Sequence, residues 1–560
     1  MKKEKKNFWQ WIKNNFFRDD EKEQRIFFMK HKHLYFVIGA VIIIGAFCIR
    51  AYHLSSLPPG VYPDEAVNGT DAINAIETGH FRLFYANNYG REGLFMNLIA
   101  LGFMLFGVSV ITLKMWSVFF GTLTVLGIIL LAREMLNSRR AGLIAGFLYA
   151  TTFWAINFNR ISFRANMLPF VLVFTFFFIF RGLRTGKWTD YLIAGAFFGL
   201  GTHTYIAFRI APLIMIALFA TLLISKKGFL KSNWRKILIF ALAMFLVALP
   251  MLSTFYFHPE YFETRSESVS VFSPKVNQGH LWQALWTSTR LTFGMFNFQG
   301  DQNWRHNLPG QPELQSWTGV FFLIGAALLL LGFFYFLFHR FVRKKYDGEF
   351  AVVVLLLSWL FAMLLPGLLT YEGLPHALRT IGALPAAILI SVYALEKIFL
   401  LLEQQKSKYA RWIGYVALTT AVLWSGFIST KRYFVDWAHF PEIHAAFAQN
   451  FKNMALFLNN LPPSAHKYVI ANAGGQIMED GLPVSAEVVK LLTFYRTPGI
   501  TYSRPADFDP GSIQAPAKIV LMYYDGEIIA KIKSIFPNAL VQKLDPQPGN
   551  GTDYYVININ

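Results

Sequence analysis

Cysteine is almost absent from this 560-residue chain, and acidic residues are scarce. The single cysteine, Cys48, lies inside an apolar run, so the sequence offers neither an intramolecular disulfide nor a thiolate metal cluster. Only 15% of residues are charged, and 33 Asp and Glu residues stand against 52 Lys and Arg residues, a formal net charge of +19. A composition this poor in charge excludes a disordered chain.

Hydrophobic residues make up 54% of the chain, 17% of residues are aromatic, and the mean hydropathy is +0.38. Runs such as Leu34–Ala51 and Val320–Phe338 approach the roughly 20 residues that a helix needs to cross a bilayer. The Lys and Arg residues cluster in short loops between apolar runs, as in Lys226–Lys236 and Arg340–Lys345, which is typical of orientation signals in membrane proteins. The sequence therefore predicts a polytopic membrane protein in contact with membrane lipids, and no nucleic-acid partner.

Charge distribution predicts the orientation and three units. The basic segment 1–33 is expected in the cytoplasm, followed by a transmembrane unit over 34–429 and an extracytoplasmic unit over 430–560. About 11 spans keep the basic loops inside. They are predicted at Leu34–Tyr52, Ile111–Ala132, Gly142–Asn157, Leu168–Arg181, Tyr191–Ala207, Ile210–Leu223, Ile237–Phe257, Val320–Phe338, Phe350–Leu369, Ile381–Leu401 and Trp412–Ile428.

Two regions outside the spans have recognisable patterns. The apolar segment Gly93–Gly107 is short for a span and is predicted to lie along the outer interface. After Ser429 the composition shifts to strand-like and helix-like segments separated by Gly or Pro, which predicts a small α/β domain. Its strands are expected at Lys467–Ala473, Lys518–Tyr524, Ala539–Leu544 and Tyr554–Ile559, and its helices at Ile443–Asn459 and Ile528–Ile535. Gly474 and Gly475 lack phosphate-loop spacing and predict an ordinary turn.

An acidic pair, Asp64 and Glu65, follows the first span in the outer loop Leu54–Glu92. Asp64 precedes a helix predicted over Glu65–Thr78 and closed by Gly79, so one interpretation is a helix N-cap. An acid can cap a helix and still present its free oxygen to a substrate, and the cap does not require Glu65. Both acids are therefore candidate catalytic residues.

Arginines recur in apolar outer loops, against the positive-inside trend. One interpretation is that they extend to lipid headgroups. Because a guanidinium binds phosphate bidentately, the other is that they converge on a phosphate-bearing lipid. The candidate phosphate ligands are Arg91, Arg160, Arg164, Arg209, His376 and Arg379.

The histidines are scattered and show no metal-ligand spacing. Glu92, His258 and His376 remain candidate ligands of a divalent metal ion, which would help to neutralise a departing phosphate.

The order of these motifs resembles the GT-C class of integral-membrane glycosyltransferases, in the branch of protein O-mannosyltransferases and lipid A aminoarabinose transferases. The resemblance covers Leu34–Leu400 and rests on Pro63-Asp64-Glu65-Ala66, Gly90-Arg91-Glu92-Gly93-Leu94, Arg133–Gly142, Asn159–Arg164 and His376–Pro385. Many relatives have a Lys-Pro-Pro or Glu-Pro turn where this chain has Arg91-Glu92-Gly93.

This resemblance implies a GT-C fold and inverting transfer of a hexosyl unit from a polyprenyl-phosphate sugar to an extracytoplasmic protein, lipid or glycan. It implies that Asp64 is the base acting on the acceptor hydroxyl, with Glu65 its neighbour in the motif. The expected location is the plasma membrane. Two alternatives stay open, a lipid-linked glycan flippase or polymerase and a non-catalytic scaffold. A transporter should carry ionisable residues or broken helices at mid-membrane, and few are found.

Overall fold

A computed structural model describes residues 32–263, 269–343, 349–494 and 496–560. Residues 1–31 of the predicted cytoplasmic segment lie outside the described residues. The helices of the first half are α1 (Lys32–Ala51), α2 (Pro63–Thr78), α3 (Leu94–Phe106), α4 (Val110–Met135), α5 (Arg139–Thr151), α6 (Phe153–Phe158), α7 (Met167–Thr185), α8 (Trp188–Leu200), α9 (Pro212–Ser225) and α10 (Phe229–Phe257). Those that follow are α11 (Glu260–Glu263), α12 (Pro274–Asn277), α13 (Leu281–Gly294), α14 (Trp317–Arg343), α15 (Glu349–Leu368), α16 (Leu384–Glu403), α17 (Lys408–Lys431), α18 (Glu442–Ala446), α19 (Gln449–Asn459), α20 (Glu487–Thr493) and α21 (Gly526–Ile535).

Within these described ranges, nine helices are long and apolar enough to cross a membrane. They are His33–Ala51, Val110–Met135, Arg164–Thr185, Ile206–Ser225, Phe229–Phe257, Trp317–His339, Glu349–Leu368, Ile381–Glu403 and Lys408–His439. The predicted span Gly142–Asn157 is divided between α5 and α6, because Thr152 adopts an extended backbone. The predicted span Tyr191–Ala207 contains α8, of 13 residues, followed by 3-10 turns. The polytopic α-helical fold class is confirmed.

The packed centre of the membrane unit fixes the segment that carries His376. Helix α4 packs against α5 and α7, and α14 packs against α16. The indole of Trp154 donates a hydrogen bond to the carbonyl of Ala377 at 3.2 Å, and the indole of Trp359 donates one to Gly382 at 2.8 Å. Both tryptophans are fully buried. The chain on either side of Arg379 is therefore held by the helical core.

A short hairpin follows α2 in the first outer loop. Helix α2 ends at Gly79, whose φ of 72° is the left-handed conformation that favours glycine. Strands β1 (Phe84–Tyr85) and β2 (Arg91–Glu92) then pair antiparallel. Their connection places Asn88, Tyr89 and Gly90 at positive φ, which turns the chain back toward the start of α2. The predicted interfacial segment Gly93–Gly107 forms α3.

The C-terminal region contains one five-stranded mixed sheet. Its strands are β3 (His466–Ile470), β4 (Ile500–Ser503), β5 (Ala517–Leu521), β6 (Leu540–Leu544) and β7 (Tyr554–Ile559), in the order β4-β3-β5-β7-β6. Strand β3 is parallel to β4 and β5, whereas β7 is antiparallel to β5 and β6. Ile528 and Ile532 of α21 pack into a hydrophobic cluster with this sheet. Each predicted strand corresponds to an observed one, and β4 was not predicted.

The C-terminal region packs directly on the first outer loop. Gly69 of α2 faces Leu491 of α20 so closely that a Cβ atom there would lie 2.8 Å from that leucine. The ammonium group of Lys452 in α19 donates hydrogen bonds to the carbonyls of Ser55 and Pro59, at 3.1 and 2.9 Å. The start of α2 is thus held between the membrane helices and α19–α20.

Candidate functional site

The beginning of α2 separates the roles of the two adjacent acids. Tyr62, and not Asp64, is the N-cap residue, so the predicted N-cap is corrected by two positions. Glu65 accepts hydrogen bonds from the backbone N–H of Tyr62 at 3.0 Å and of Ser162 at 2.6 Å, and the Lys114 ammonium lies 3.9 Å away. Glu65 is fully buried, and this burial raises the pKa of its carboxyl group. Its carboxylate therefore stabilises the helix start and faces away from the cavity described next.

Asp64 lies one residue earlier in the first turn of α2 and is partly exposed to a large cavity. Its Oδ1 accepts a hydrogen bond of 2.6 Å from the side-chain amide of Asn88. Asn88 reaches it because the hairpin loop turns back at positive φ. The fixed helix start and the Asn88 amide together orient the Asp64 carboxylate toward the cavity.

The cavity has a volume of about 970 Å³, and we call it the arginine cavity. In the described part of the chain, five arginines line it alongside Asp64, Asp301, Glu372, His306 and His376. The arginines are Arg91, Arg164, Arg209, Arg305 and Arg379. Of the predicted phosphate ligands, Arg91, Arg164, Arg209, His376 and Arg379 are therefore brought together with Asp64.

The predicted ligand Arg91 is buried beneath the cavity surface. It forms an ion pair with Asp71 and donates a 2.7 Å hydrogen bond to the side chain of Asn68. Burial lowers the pKa of Arg91, and Asp71 opposes that change. Because Arg91 is almost fully buried and paired with Asp71, it braces α2 more than it offers charge to a ligand.

Arg164, Arg209 and Arg379 are partly exposed to the cavity. Arg164 donates through Nε to Glu92 at 2.7 Å and lies over the ring of Tyr205. Arg209 lies over the rings of Phe255 and Phe262, at 4.9 and 4.2 Å from their centroids. Arg379 pairs with Glu372, whose carboxylate oxygen lies 2.8 Å from its Nη2. Each guanidinium is thus held by an acid or by aromatic rings and also lines the cavity.

Arg160 lies elsewhere, and its predicted role as a phosphate ligand is corrected. It is fully buried, and its guanidinium donates hydrogen bonds to four backbone carbonyls and one phenol. The carbonyls belong to Ile49, Arg50, Tyr52 and Leu57, and the phenol to Tyr433. These bonds use all five N–H donors of the side chain, so Arg160 anchors the end of α1 and the chain that follows it.

The predicted metal ligands are not gathered into one group. Glu92 pairs with Arg164, and His258 lies beside Glu260 on the exposed surface. His376 instead lies near Asp301 and His306, and the potential ligand atoms of these three lie within 4.8 Å of one another. Asp301 accepts hydrogen bonds of 2.8 Å from His306 Nδ1 and from the backbone N–H of Ala377. These three side chains have the chemistry to hold a divalent metal, and their present hydrogen bonds fix His306 at the cavity wall.

The sequence reasoning missed several polar residues of the cavity, and four of these are Asn88, Asp301, Arg305 and His306. Three of them lie in the polar run Asp301-Gln-Asn-Trp-Arg-His306 within the long outer loop. Such a concentration of polar side chains between two apolar stretches is a signal that could have identified them. The guanidinium carbon of Arg305 lies 4.2 Å from the ring centroid of Tyr62, beside the start of α2.

The chain is similar to known proteins in sequence over one segment and in fold over most of its length. Residues 94–253 match the family model described as dolichyl-phosphate-mannose-protein mannosyltransferase. The crystal structure of ArnT from Cupriavidus metallidurans bound to undecaprenyl phosphate is similar in fold, with a TM-score of 0.51 at 13% identity over 94% of this chain and 97% of that chain. The apo state of the same enzyme has a TM-score of 0.50 at 12% identity over 94% of this chain and 98% of that one. No curated protein sequence matches the chain.

The matched segment runs from the start of α3 to within α10, so it includes Arg164 and Arg209 of the arginine cavity. The structural likeness extends over nearly the whole chain. The resemblance identified in the sequence is therefore confirmed: the chain is similar in fold to ArnT, and its residues 94–253 match the mannosyltransferase family model.

Proposed function

We propose that the chain transfers a glycosyl unit from a polyprenyl-phosphate sugar to a hydroxyl group of an extracytoplasmic acceptor, with Asp64 as the base. The observation that carries this proposal is the convergence of the Asp64 carboxylate with Arg164, Arg209, Arg305 and Arg379 on one cavity. A carboxylate beside several cations suits a reaction in which a base meets a phosphate ester.

The reaction balances with the groups that line the cavity. The acceptor oxygen bonds to the anomeric carbon while the bond from that carbon to the phosphate oxygen breaks, which inverts the anomeric centre. The acceptor proton passes to Asp64, and the polyprenyl phosphate leaves with the electron pair. Phosphate departs without a proton donor when cations stabilise its charge, so a second catalytic acid is not required.

Asn88 and Glu65 act as positioning residues in this scheme. Asn88 holds one carboxylate oxygen of Asp64 at 2.6 Å, and Glu65 fixes the helix turn on which Asp64 stands. A base held in this way needs little reorganisation before proton transfer.

The proposed orientation follows from the basic loops. A cytoplasmic N-terminus brings α2 and the arginine cavity to the extracytoplasmic face, together with the region 430–560. A polyprenyl chain would then lie among the apolar helices while its phosphate reaches the arginines.

The test is the substitution Asp64→Asn, assayed in full-length protein reconstituted in lipid with polyprenyl-phosphate mannose and polyprenyl-phosphate aminoarabinose as donors. Release of free polyprenyl phosphate should fall by about 100-fold or more, because an amide cannot take the acceptor proton. Donor binding and expression should be unchanged. The matched control is Glu77→Gln, which neutralises an exposed acid on the same helix and should leave turnover at the wild-type rate. Wild-type turnover in Asp64→Asn would overturn the assignment of the base.

A further inference from the structure

A second cavity lies between the membrane unit and the C-terminal region, and we call it the junction cleft. It has a volume of about 550 Å³, within the range of small-molecule sites. Its lining comes from the start of α2, the 302–305 loop, α18–α19 and the turns after β3 and β5. Its residues are Tyr62, Pro63, Gln302, Asn303, Trp304, Arg305, Ala445, Ala446, Ala448, Asn450, Phe451, Ala473, Gly474, Ser485 and Tyr523.

The junction cleft and the arginine cavity are separated by one shared layer of side chains. Tyr62, Gln302, Asn303 and Arg305 line both spaces. Pro63 faces the cleft and its neighbour Asp64 faces the cavity. A molecule in the cleft is therefore adjacent to the proposed base.

The cleft has the chemistry of a site for neutral sugars. Among the residues that the structure describes, Arg305 is the only charged residue in its lining, and its polar side chains are amides and hydroxyls that donate and accept hydrogen bonds. Four aromatic residues, Tyr62, Trp304, Phe451 and Tyr523, supply the flat apolar surfaces on which the C–H face of a sugar ring packs. An anionic ligand would find one guanidinium here and five in the neighbouring cavity.

Two features leave room and hydrogen-bonding capacity for a ligand. The Ser485 hydroxyl is buried, with 5% of the residue exposed, and has no hydrogen-bond partner among the described residues. An unpaired buried hydroxyl is costly and calls for a partner. At Gly474 a Cβ atom would meet no atom within 4 Å, so the cleft is open there. Tyr523 is 51% exposed and stands edge-on to Phe451, which leaves one ring face available.

From these observations we infer that the junction cleft binds the acceptor, and that the acceptor is an uncharged glycan. The inference rests on the proposed transferase function and specifies its second substrate. A hydroxyl of the bound glycan would reach Asp64 past the layer formed by Tyr62 and Arg305. The C-terminal region would then select the acceptor, while the membrane helices hold the donor.

The test compares two neighbouring tyrosines. Full-length protein in lipid nanodiscs is titrated with fluorescently labelled neutral trisaccharides, acidic trisaccharides and serine- and threonine-rich peptides. Neutral trisaccharides should bind saturably, and Tyr523→Ala should weaken that binding about tenfold, the value of one aromatic contact. Tyr524→Ala is the matched control and should bind as wild type, because Tyr524 packs on Tyr555 outside the cleft.

A second variant tests the cleft without removing any contact. In Gly474→Leu the new side chain would extend into open space at the cleft. It should block glycan binding and leave polyprenyl-phosphate binding unchanged. Equal binding in wild type, Tyr523→Ala and Gly474→Leu would overturn the inference, and so would saturable binding of peptides in place of glycans. Asp64→Asn should keep wild-type glycan binding. Full turnover in Asp64→Asn with glycan binding lost in Tyr523→Ala would reject the proposed base and leave the cleft assignment standing.

Discussion

The arginine cavity and the junction cleft share a wall and differ in charge. Among the described residues, the cavity is lined by five arginines, three acids and five aromatic residues, whereas the lining of the cleft contains one arginine, no acid and four aromatic residues. The cavity is formed largely by membrane helices and outer loops, and the cleft requires the C-terminal region. In the proposed scheme this difference is a division of labour, in which charge holds an anion on one side of Tyr62 and amide, hydroxyl and aromatic groups hold a neutral molecule on the other.

The largest effect is expected from the loss of Arg160, which anchors the end of α1 and the chain that follows it. Arg160→Gln takes hydrogen bonds from four backbone carbonyls at the end of α1 and beyond, each costly to leave unpaired when buried. We expect the free energy of unfolding to fall by about 3 kcal/mol or more, measured as a lower Tm of the purified protein. A variant with wild-type Tm and selective loss of donor binding would restore Arg160 as a phosphate ligand.

A smaller effect, selective for the donor, is expected from a substitution of Arg164, four residues after Arg160. Arg164→Gln removes a cation from the arginine cavity and should raise the KM for the polyprenyl-phosphate donor by about 10- to 100-fold, as for a charge-assisted hydrogen bond. The binding of neutral glycans should be unchanged, and the Tm should fall because the buried Glu92 loses its ion-pair partner. Glu92→Gln is the control, because an amide oxygen still accepts from Arg164 and keeps it in position. Equal loss of donor and glycan binding in Arg164→Gln would show that the two spaces are not separate.

The smallest effect concerns the contact in which Lys452 of α19 holds the carbonyls of Ser55 and Pro59. Burial lowers the pKa of Lys452 from 10.5 to about 8, with a further contribution from Lys114. Between these two values the unfolded chain keeps a proton that the folded protein has lost, so stability should rise with pH across that window. The measurement is Tm from pH 7.5 to 10, and Lys452→Met should reduce the slope. An identical slope in both proteins would contradict the shifted pKa.

The elements with strong local patterns could be predicted from the sequence. The long apolar runs, the interfacial helix α3 and four of the five strands have the length and periodicity of those structures. The exception is β4, whose four residues are all partly or fully exposed, so that no alternation of buried and exposed positions marks it. The convergence of Asp64 with the arginines of separate loops was one of two interpretations of the arginines that recur in these loops, and the other was contact with lipid headgroups.

The distinction between Arg160 and Arg164 could not be predicted. Both lie in the same short motif and have the same local setting, but one meets backbone carbonyls more than 100 residues away in the chain and the other faces a cavity. Likewise, nothing in the pair Asp64-Glu65 indicates which acid will be buried. Tertiary contacts from Ser162 and Lys114 decide it, and such contacts leave no local pattern.

The anchoring of α1 by Arg160 has an evolutionary consequence. Its partners at 49, 50, 52 and 57 contribute only backbone oxygens, which every amino acid possesses. This contact leaves positions 49, 52 and 57 free to drift in composition across homologues, whereas Arg50 is buried and hydrogen-bonded to Asn159 through its own side chain, and the Arg160 guanidinium is not free to change. An alignment should therefore display an invariant arginine opposite a variable stretch, a fingerprint of architecture that would be mistaken for catalysis if invariance alone were the guide.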